Sequence, residues 1–338
     1  MKSKKLYKNM QVGIIGLGNI GTAIANLIAE NGYKIIGWEK NPEVVNEINT
    51  KKINSTYLPG INLNPNIIAT TELEEVLNIS EILFIAIPSI FINQTLKNMK
   101  NRINTNCIIV NLAKGIDNTT YFTSCEILSN LFPNNNIVML SGPSIANEFS
   151  KKMPTVVVLA HKNKEVLLTV SKILENEYFR LRFSDDIIGV ELGGILKNIY
   201  AIGLGILDGK KITSINFRAV YLTMALEEMI KLGTKLKAKP ETFYCLSGLG
   251  DLIATSLSTH SHNRKLGELL ANNLTLTQIK EKMKTLPEGY NTLKIILNIS
   301  EKYHVPLPLA KSIWEIINQK YPVEKFISLF IKDFIENK

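Results

Sequence analysis

The sequence predicts an α/β protein in which a doubly wound, largely parallel sheet is followed by an all-α part. Short apolar runs, many of them β-branched, alternate with amphipathic segments from residue 11 to about residue 185. Such runs are typical of strands in a parallel sheet that helices cover on both faces. After about residue 187 they give way to long helical periodicity. We therefore predict an α/β domain over residues 1–187 and an all-helical domain over residues 188–338.

The strands of the predicted sheet are eight apolar runs, several of them bounded by Gly, Pro or Asn. In chain order they are Gln11–Ile15, Lys34–Trp38, Ile67–Ala69, Ile82–Ile87, Cys107–Leu112, Ile137–Leu140, Pro154–Leu159 and Phe179–Phe183. In the second domain, Val220–Leu232 and Leu293–Tyr303 show the spacing of amphipathic helices.

The stretch Ile187–Leu207 is mostly apolar and resembles a membrane span in length. Glu191 and Lys197 interrupt it, and a charge at the centre of a span costs roughly 2.5–3.5 kcal/mol. We therefore expect a helix buried inside the helical domain, and no integral association with a membrane.

The chain of 338 residues carries 39 basic and 30 acidic side chains, a net charge of +9. This excess suits an anionic partner such as a phosphorylated small molecule. No basic stripe is interleaved with aromatic residues, so nucleic acid is not an expected partner.

The three cysteines, Cys107, Cys125 and Cys245, are far apart in the sequence and have no Cys-x-x-Cys spacing. They predict buried thiols in a reducing cytoplasm. No two histidines have the helical spacing of metal ligands, so no metal site is expected. The segment Met1–Met10 carries four lysines but no apolar signal core, which predicts a cytoplasmic protein.

The first motif follows the first strand directly and reads Gly16-Leu17-Gly18-Asn19-Ile20-Gly21, with the helical segment Thr22–Glu30 behind it. Gly-x-Gly-x-x-Gly between a strand and a helix is typical of a dinucleotide-binding turn. Its glycines allow a tight turn, the approach of a pyrophosphate and close helix packing, in that order. The predicted sheet is therefore Rossmann-like.

Two charged residues end the second strand, where the ribose of the adenosine is expected. Glu39 would bind the ribose hydroxyls and favours NAD, whereas Lys40 would bind a 2′-phosphate and favours NADP. Both cofactors therefore stay open.

Ligands of an open parallel sheet bind beyond the carboxyl ends of its strands. Lys114 follows one strand end, where it can meet an anionic or hydroxylated ligand. Ser141–Glu148 follows another and is rich in small residues, which permits a close approach.

Lys197 lies in the apolar stretch that begins the helical domain. Burial among apolar neighbours would lower its pKa and make it a usable acid or base near neutral pH. Gly193 and Gly194 would leave one helix surface bare for a flat ring.

Three further polar motifs follow in the helical domain. Asp251 ends a glycine-rich turn and could orient Lys197. Ser261-His262-Asn263-Arg264 comes ten residues later, and Asn263 and Arg264 could hold a phosphate. Glu288 lies in a predicted turn.

The order of these motifs resembles the NAD(P)-dependent glycerol-3-phosphate dehydrogenase family along its whole length. The resemblance implies reversible oxidation of sn-glycerol 3-phosphate to dihydroxyacetone phosphate with NAD or NADP, which supplies the backbone of glycerophospholipids. It implies that Lys197 is the acid/base at the C2 oxygen and that Lys114 contacts both substrate and cofactor. The other implied substrate residues are Gly142, Ser144, Asp251, Ser261 and Asn263, and the other implied cofactor residues are Asn19, Ile20, Ala146 and Glu288.

The chain departs from the family pattern at three places. His262 replaces the arginine of the usual Ser-Arg-Asn-Arg, which weakens bidentate phosphate binding there. The loop after Asp208-Gly209 is one residue longer than usual, and Thr223-Met224-Ala225 replaces Thr-Arg-Gly.

Two other functions stay open at this point. One is a dehydrogenase of another small 2-hydroxy substrate, because the phosphate-reading arginine is missing. The other is a non-catalytic dinucleotide-binding sensor, against which Lys114, Lys197 and Asp251 argue because a sensor needs none of them. The assembly is likewise open, and a homodimer is compatible with the sequence.

Overall fold

The computed structural model of the chain describes residues 10–99, 102–258, 261–318, 322–323, 325–326 and 328. The chain divides into two compact units. The first comprises Met1–Asp117 and Phe122–Ile187, and the second comprises Asn118–Tyr121 and Ile188–Lys338. The predicted domains 1–187 and 188–338 do not anticipate that Asn118–Tyr121 group with the second unit.

The first unit is built on one sheet of eight strands in the order β3-β2-β1-β4-β5-β6-β7-β8. The strands are β1 Gln11–Ile15, β2 Lys34–Trp38, β3 Ile67–Thr70, β4 Ile82–Ile85, β5 Ile108–Asn111, β6 Asn136–Ser141, β7 Thr155–Ala160 and β8 Phe179–Ser184. Neighbouring strands are parallel except for the antiparallel pair β6 and β7. The prediction of a doubly wound, largely parallel sheet is confirmed.

Seven helices belong to the described part of this unit. They are α1 Asn19–Glu30, α2 Pro42–Lys51, α3 Leu73–Ile79, α4 Ser89–Leu96, α5 Ser124–Leu131, α6 Ala146–Phe149 and α7 Lys164–Leu174. The central strands are solidly apolar because both faces are covered, and all four residues of β4 are buried. β4 ends at Ile85 rather than at the predicted Ile87, since Pro88 has no N–H to continue a ladder and the chain turns there into α4.

The described residues of the second unit form helices joined by loops, and one of these helices is a π-helix at Leu246–Gly250. Its α-helices are α8 Ile187–Gly209, whose first residue still belongs to the first unit, α9 Ile215–Lys235, α10 Pro240–Phe243, α11 Asp251–Leu257, α12 His262–Ala271, α13 Leu276–Met283, α14 Glu288–Lys302 and α15 Pro308–Ile317. α8 is long and apolar enough to cross a membrane, but 83% of its apolar window is buried inside the structure. The expectation of a buried helix is therefore confirmed.

A buried carboxylate joins α9 to the first turn of α15. Glu228 accepts hydrogen bonds from the backbone N–H groups of Leu309 (2.6 Å) and Ala310 (3.1 Å) and from the hydroxyl of Tyr200 (2.9 Å). Burial raises the pKa of Glu228 to about 7, although these hydrogen bonds act in the opposite direction. The N–H groups that begin α15 thus find their acceptor in a side chain of another helix.

The cysteines differ in exposure. Cys107 and Cys125 are buried as predicted, but Cys245 is exposed, so the prediction of three buried thiols is wrong at that position. Cys245 lies in the turn between α10 and the π-helix, where the neighbouring Tyr244 is also 61% exposed. Burial, with a contribution from the charge of Glu81, raises the pKa of the Cys107 thiol to about 12.

Candidate functional site

The glycine motif of the first unit forms the turn between β1 and α1. Gly16 has φ +98°, a left-handed conformation that favours glycine. A Cβ on Gly21 would lie 1.9 Å from the Gly16 carbonyl oxygen, so that position holds the helix against the turn. A Cβ on Gly18 would meet nothing within 4 Å. The backbone at Gly18 is therefore open to a ligand.

The N-terminus of α1 fits the pyrophosphate of a dinucleotide. Gly18 caps the helix without a side-chain hydrogen bond, and no acidic residue lies in the first turn. The N–H groups of that turn and the positive end of the helix dipole favour an anion. The open backbone at Gly18 and the uncapped helix thus suit the cofactor that the motif predicts.

Two buried polar side chains that the sequence analysis missed hold the glycine turn. The Thr22 hydroxyl donates to the Leu17 carbonyl oxygen at 2.7 Å, and the Asn54 amide donates to the same oxygen at 2.9 Å. Asn54 is fully buried and also donates to the Thr22 hydroxyl. Asn54 is 37 residues from Leu17 in the sequence, so local spacing gives no signal for this contact.

Glu39 and Lys40, which follow β2, differ in their surroundings. Glu39 is 6% exposed, and its carboxylate accepts the Asn41 backbone N–H at 3.1 Å. Lys40 is exposed, and its ammonium lies 5.7 Å from the centre of the Phe91 ring, within the range of a cation–π interaction. The two residues therefore do not form one charged patch.

Lys114 follows β5 and is half-buried. The fully buried Asn111 shapes the chain before it, since its side chain accepts the Ala113 N–H at 3.0 Å and donates to the Ala113 carbonyl oxygen at 3.2 Å. A buried amide thus fixes the turn that precedes the lysine.

The loop after β6 lies beside the glycine motif. The Asn19 amide donates to the Asn147 side-chain oxygen at 3.2 Å, which brings the start of α1 and the start of α6 together, where Ala146 is buried. Within the loop, the Ser144 hydroxyl donates to the Gly142 carbonyl oxygen at 3.0 Å. The structure thus brings the glycine motif and the Ser141–Glu148 loop into one region of the first unit.

In the second unit Lys197 extends from α8 to α11. Its ammonium donates to Asp251 Oδ1 at 2.6 Å and to Thr255 Oγ1 at 2.9 Å. The Lys197 side chain is 13% exposed and that of Asp251 is 3% exposed. Asp251 thus contacts Lys197, as the sequence allowed, and its carboxylate stabilises the charged ammonium.

Thr255 is a site residue that the sequence analysis missed. It lies four residues after Asp251 in α11, and residues at that spacing share one helix face. The spacing from the predicted Asp251 could have identified it.

Gly193, four residues before Lys197, does not leave a bare surface for a ring. A Cβ on Gly193 would lie 2.5 Å from the Ser247 carbonyl oxygen. The backbone of the π-helix thus packs directly on α8 at Gly193. The expectation of an open face at Gly193 is wrong, because the turn that carries Asp251 fills it.

The second polar motif begins α12. The Ser261 hydroxyl caps this helix by accepting the Arg264 N–H at 3.3 Å, and His262 is exposed. Asn263 is 8% exposed, and its side-chain oxygen accepts the Gly289 N–H at 3.0 Å. Glu288 precedes that glycine as the first residue of α14.

The Asn263–Gly289 contact lies beside the residue after Lys197. A Cβ on Gly289 would lie 2.5 Å from the Asn198 carbonyl oxygen. The structure therefore brings the segments of Lys197, Asn263 and Glu288 into one region of the second unit. Since the oxygen of the Asn263 amide accepts from Gly289, its N–H₂ group is the part oriented to donate to a ligand.

Two family models match the chain. The model described as "NAD-dependent glycerol-3-phosphate dehydrogenase N-terminus" matches residues 11–167, and the model of the C-terminus of the same family matches residues 186–328. Among curated relatives, glycerol-3-phosphate dehydrogenase [NAD(P)+] of Staphylococcus carnosus is 34% identical over 95% of this chain and 97% of its own length. That of Staphylococcus saprophyticus is 36% identical over 94% of this chain and 96% of its own length.

A solved structure shows the same architecture. The crystal structure of glycerol-3-phosphate dehydrogenase from Coxiella burnetii has a TM-score of 0.90 and 28% identity, and the match covers 96% of this chain and 99% of that one. Both the sequence and the fold of this chain are thus similar to those of this enzyme over nearly the full length.

Proposed function

Since the chain belongs to the NAD-dependent glycerol-3-phosphate dehydrogenase family, we propose that Lys197 is its catalytic acid/base. The protein is an NAD(P)-dependent enzyme that interconverts sn-glycerol 3-phosphate and dihydroxyacetone phosphate, a reaction that feeds glycerophospholipid synthesis. The alternatives of another 2-hydroxy substrate or of a sensor are not favoured. The observation that carries the assignment of Lys197 is its contact with Asp251 and Thr255 in the interior of the second unit.

The reaction needs a proton at the C2 oxygen. The nicotinamide cofactor supplies the hydride in reduction and accepts it in oxidation. In reduction, the Lys197 ammonium donates a proton to the C2 oxygen as the carbonyl becomes an alcohol. In oxidation, the neutral amine takes the hydroxyl proton. A positioned acid/base contributes on the order of 10²–10⁴-fold to such a step.

Asp251 and Thr255 orient Lys197 for this transfer. Both accept from the ammonium, so together they fix the direction in which it extends from α8. Asp251 also neutralises the buried charge, which would otherwise be costly. The pair therefore holds the ammonium in place.

The remaining site residues are divided between substrate and cofactor in this proposal. The substrate residues are Lys114, Gly142, Ser144, Asp251, Ser261, His262 and Asn263. The cofactor residues are Gly16, Gly18, Asn19, Ile20, Gly21, Glu39, Lys40, Lys114, Ala146 and Glu288. The open backbone at Gly18 supports the cofactor set, and the oriented Asn263 amide supports the substrate set.

The substitution Lys197→Ala tests the acid/base role. We expect it to fold and to bind NADH while turnover of dihydroxyacetone phosphate falls by roughly 10²–10⁴-fold, because only the proton transfer depends on the amine. Steady-state assays, a cofactor titration and thermal unfolding check the three statements. The control is Lys280→Ala, which removes an exposed lysine of α13. Near wild-type turnover in Lys197→Ala would contradict the assignment.

We also propose that the protein works in the cytoplasm as a homodimer. The second unit exposes two large apolar side chains that a second copy of the chain would cover in such a dimer, Ile215 (81% exposed) and Leu257 (77% exposed). Sedimentation of the purified protein should give twice the mass of one chain, and a monomer at micromolar concentration would contradict the dimer. Fractionation of the cells that make the protein tests its location.

A further inference from the structure

Most N–H donors of the Arg264 guanidinium form hydrogen bonds with other residues of the second unit. Its Nε donates to Asp208 Oδ2 at 2.9 Å, and its Nη2 donates to the same carboxylate oxygen. Its Nη1 donates to the carbonyl oxygens of Ser256 and Ser258. The Arg264 side chain is only 14% exposed.

These contacts leave little of the guanidinium for a substrate. An arginine has five N–H donors, and the contacts with Asp208, Ser256 and Ser258 occupy four of them. Bidentate binding of a phosphate needs two N–H donors that point in the same direction. Arg264 has only one N–H outside the four contacts above, so it cannot bind a phosphate in this way. The expectation that Arg264 holds a phosphate is therefore not supported by its geometry.

The partners of Arg264 belong to α8, which carries Lys197, and to α11, which carries the Lys197 partners Asp251 and Thr255. Asp208 lies in the last turn of α8, eleven residues after Lys197. Ser256 follows Thr255 directly in α11, and Ser258 caps the same helix. α8 and α11 are thus joined twice, once through Lys197 and once through Arg264.

We propose that Arg264 is a positioning residue for the proton transfer, an inference that rests on the acid/base role of Lys197. By tying the C-terminal end of α11 to Asp208, Arg264 fixes this seven-residue helix relative to α8. That position sets the distances from Asp251 and Thr255 to the Lys197 ammonium. Arg264 acts through these residues and does not touch the substrate.

Arg218 completes this cluster. Its Nη2 donates to the other oxygen of Asp208, and its Nε donates to the Ile212 carbonyl oxygen at 3.1 Å. Arg218 lies in the first turn of α9, so it fixes the Asp208 carboxylate from that helix and also holds Ile212 in the loop between α8 and α9. That loop is the one the sequence analysis found to be a residue longer than usual.

The test separates positioning from phosphate binding by the kinetic constant that changes. In Arg264→Lys, a single ammonium cannot form the fork to Asp208 and reach both carbonyls. We expect kcat for dihydroxyacetone phosphate to fall by roughly 10–100-fold, since a displacement of about 1 Å near the reacting atoms has effects of this size. KM should stay within about threefold, and kcat for unphosphorylated dihydroxyacetone should fall by the same factor.

Asp208→Asn provides a second variant, and Lys265→Gln provides the control. Asp208→Asn should reproduce the loss in kcat, and the double variant should be no worse than either single variant, because both break one contact. Lys265 is the next residue of α12 and pairs with Glu268 on the surface, so its loss should change neither constant.

Three outcomes would overturn the positioning role. A large rise in KM for dihydroxyacetone phosphate with unchanged kcat, and no effect on dihydroxyacetone, would show that Arg264 binds the phosphate. Unchanged kcat with a lower melting temperature would show that it only stabilises the fold. Additive losses in the double variant would show that Asp208 and Arg264 act separately. Failure of the acid/base role appears instead as retained turnover in Lys197→Ala.

Discussion

Glu39 is the residue whose surroundings bear most directly on the choice of cofactor. Its buried carboxylate accepts a hydrogen bond from the Asn41 N–H, whereas the exposed Lys40 places its ammonium over the Phe91 ring. A buried carboxylate beside the ribose would repel a 2′-phosphate, and an exposed lysine would attract it more weakly because solvent and salt screen its charge. We therefore propose that the arrangement favours NADH over NADPH.

We expect Glu39→Ser to shift selectivity toward NADPH by roughly tenfold, since removal of a like charge is worth a kcal/mol or more. The serine hydroxyl is small enough to leave the Asn41 N–H accessible. The measurement is the ratio of kcat/KM for NADH and NADPH, with Lys40→Gln as the opposite control that should disfavour NADPH. An unchanged ratio in Glu39→Ser would place this carboxylate away from the ribose.

His262 is the second residue with a specific prediction. It is exposed at the start of α12, one residue before the buried Asn263. We expect His262→Arg to lower KM for dihydroxyacetone phosphate by up to about tenfold, because a charge-assisted hydrogen bond contributes roughly 1.5–3 kcal/mol. The KM of both proteins for dihydroxyacetone phosphate tests this, and a KM that the arginine does not improve would contradict it.

The sequence predicted the lysine and the aspartate of the second unit but not the whole of their surroundings. Lys197 was recognisable as a charge in an apolar helix and Asp251 as an acid after a glycine turn. Asn54 and the partners of Arg264 were not recognisable, because their contacts join segments that are distant in sequence or use backbone carbonyl oxygens.

The glycines in the turn between β1 and α1 differ in the space around them. The position of Gly18 is open, whereas that of Gly21 is closed by the Gly16 carbonyl oxygen. The same substitution at the two positions should therefore affect different properties.

We expect Gly18→Ala to leave the melting temperature near that of the wild type and to raise KM for the cofactor, because the methyl group projects into the space for the pyrophosphate. Gly21→Ala should instead destabilise the fold by about 1–3 kcal/mol, as overpacking commonly does. Thermal unfolding and cofactor titration of both variants form a matched pair. Equal destabilisation by the two substitutions would contradict the open position at Gly18.

The order of strands and helices was predictable because apolar residues are spaced differently in the two kinds of element. All eight strands were identified to within two residues at their ends, since solid apolar runs are distinctive. The antiparallel pairing of β7 with β6 was not predicted, because the spacing of apolar residues does not show in which direction a strand runs. The short helix α6 between these two strands gave no further indication.

For the whole molecule, Glu228 makes stability depend on pH. Its folded pKa is about 7 against 4.5 as the ordinary value, so the unfolded chain releases this proton first as pH rises. Stability from this group is therefore fully present below about pH 4.5 and is lost as pH rises to about 7. The loss is on the order of 3 kcal/mol.

We expect Glu228→Gln to remove this part of the pH dependence. Free energies of unfolding from denaturant titrations at pH 5, 6, 7 and 8 should vary less in the variant than in the wild type, because glutamine does not titrate. Glu227→Gln is the matched control, since Glu227 is the exposed neighbour in α9. Identical slopes for Glu228→Gln and the wild type would contradict the raised pKa.

The unequal exposure of the three thiols makes the protein suitable for attaching a spectroscopic probe. Cys107 and Cys125 are buried, and Cys107 also keeps its proton at neutral pH, so a maleimide dye should react at Cys245 alone. Cys245 comes immediately before the π-helix that leads to Asp251. A fluorophore there would lie a few residues from the partner of Lys197, and its emission would report movement of that turn without any engineered cysteine.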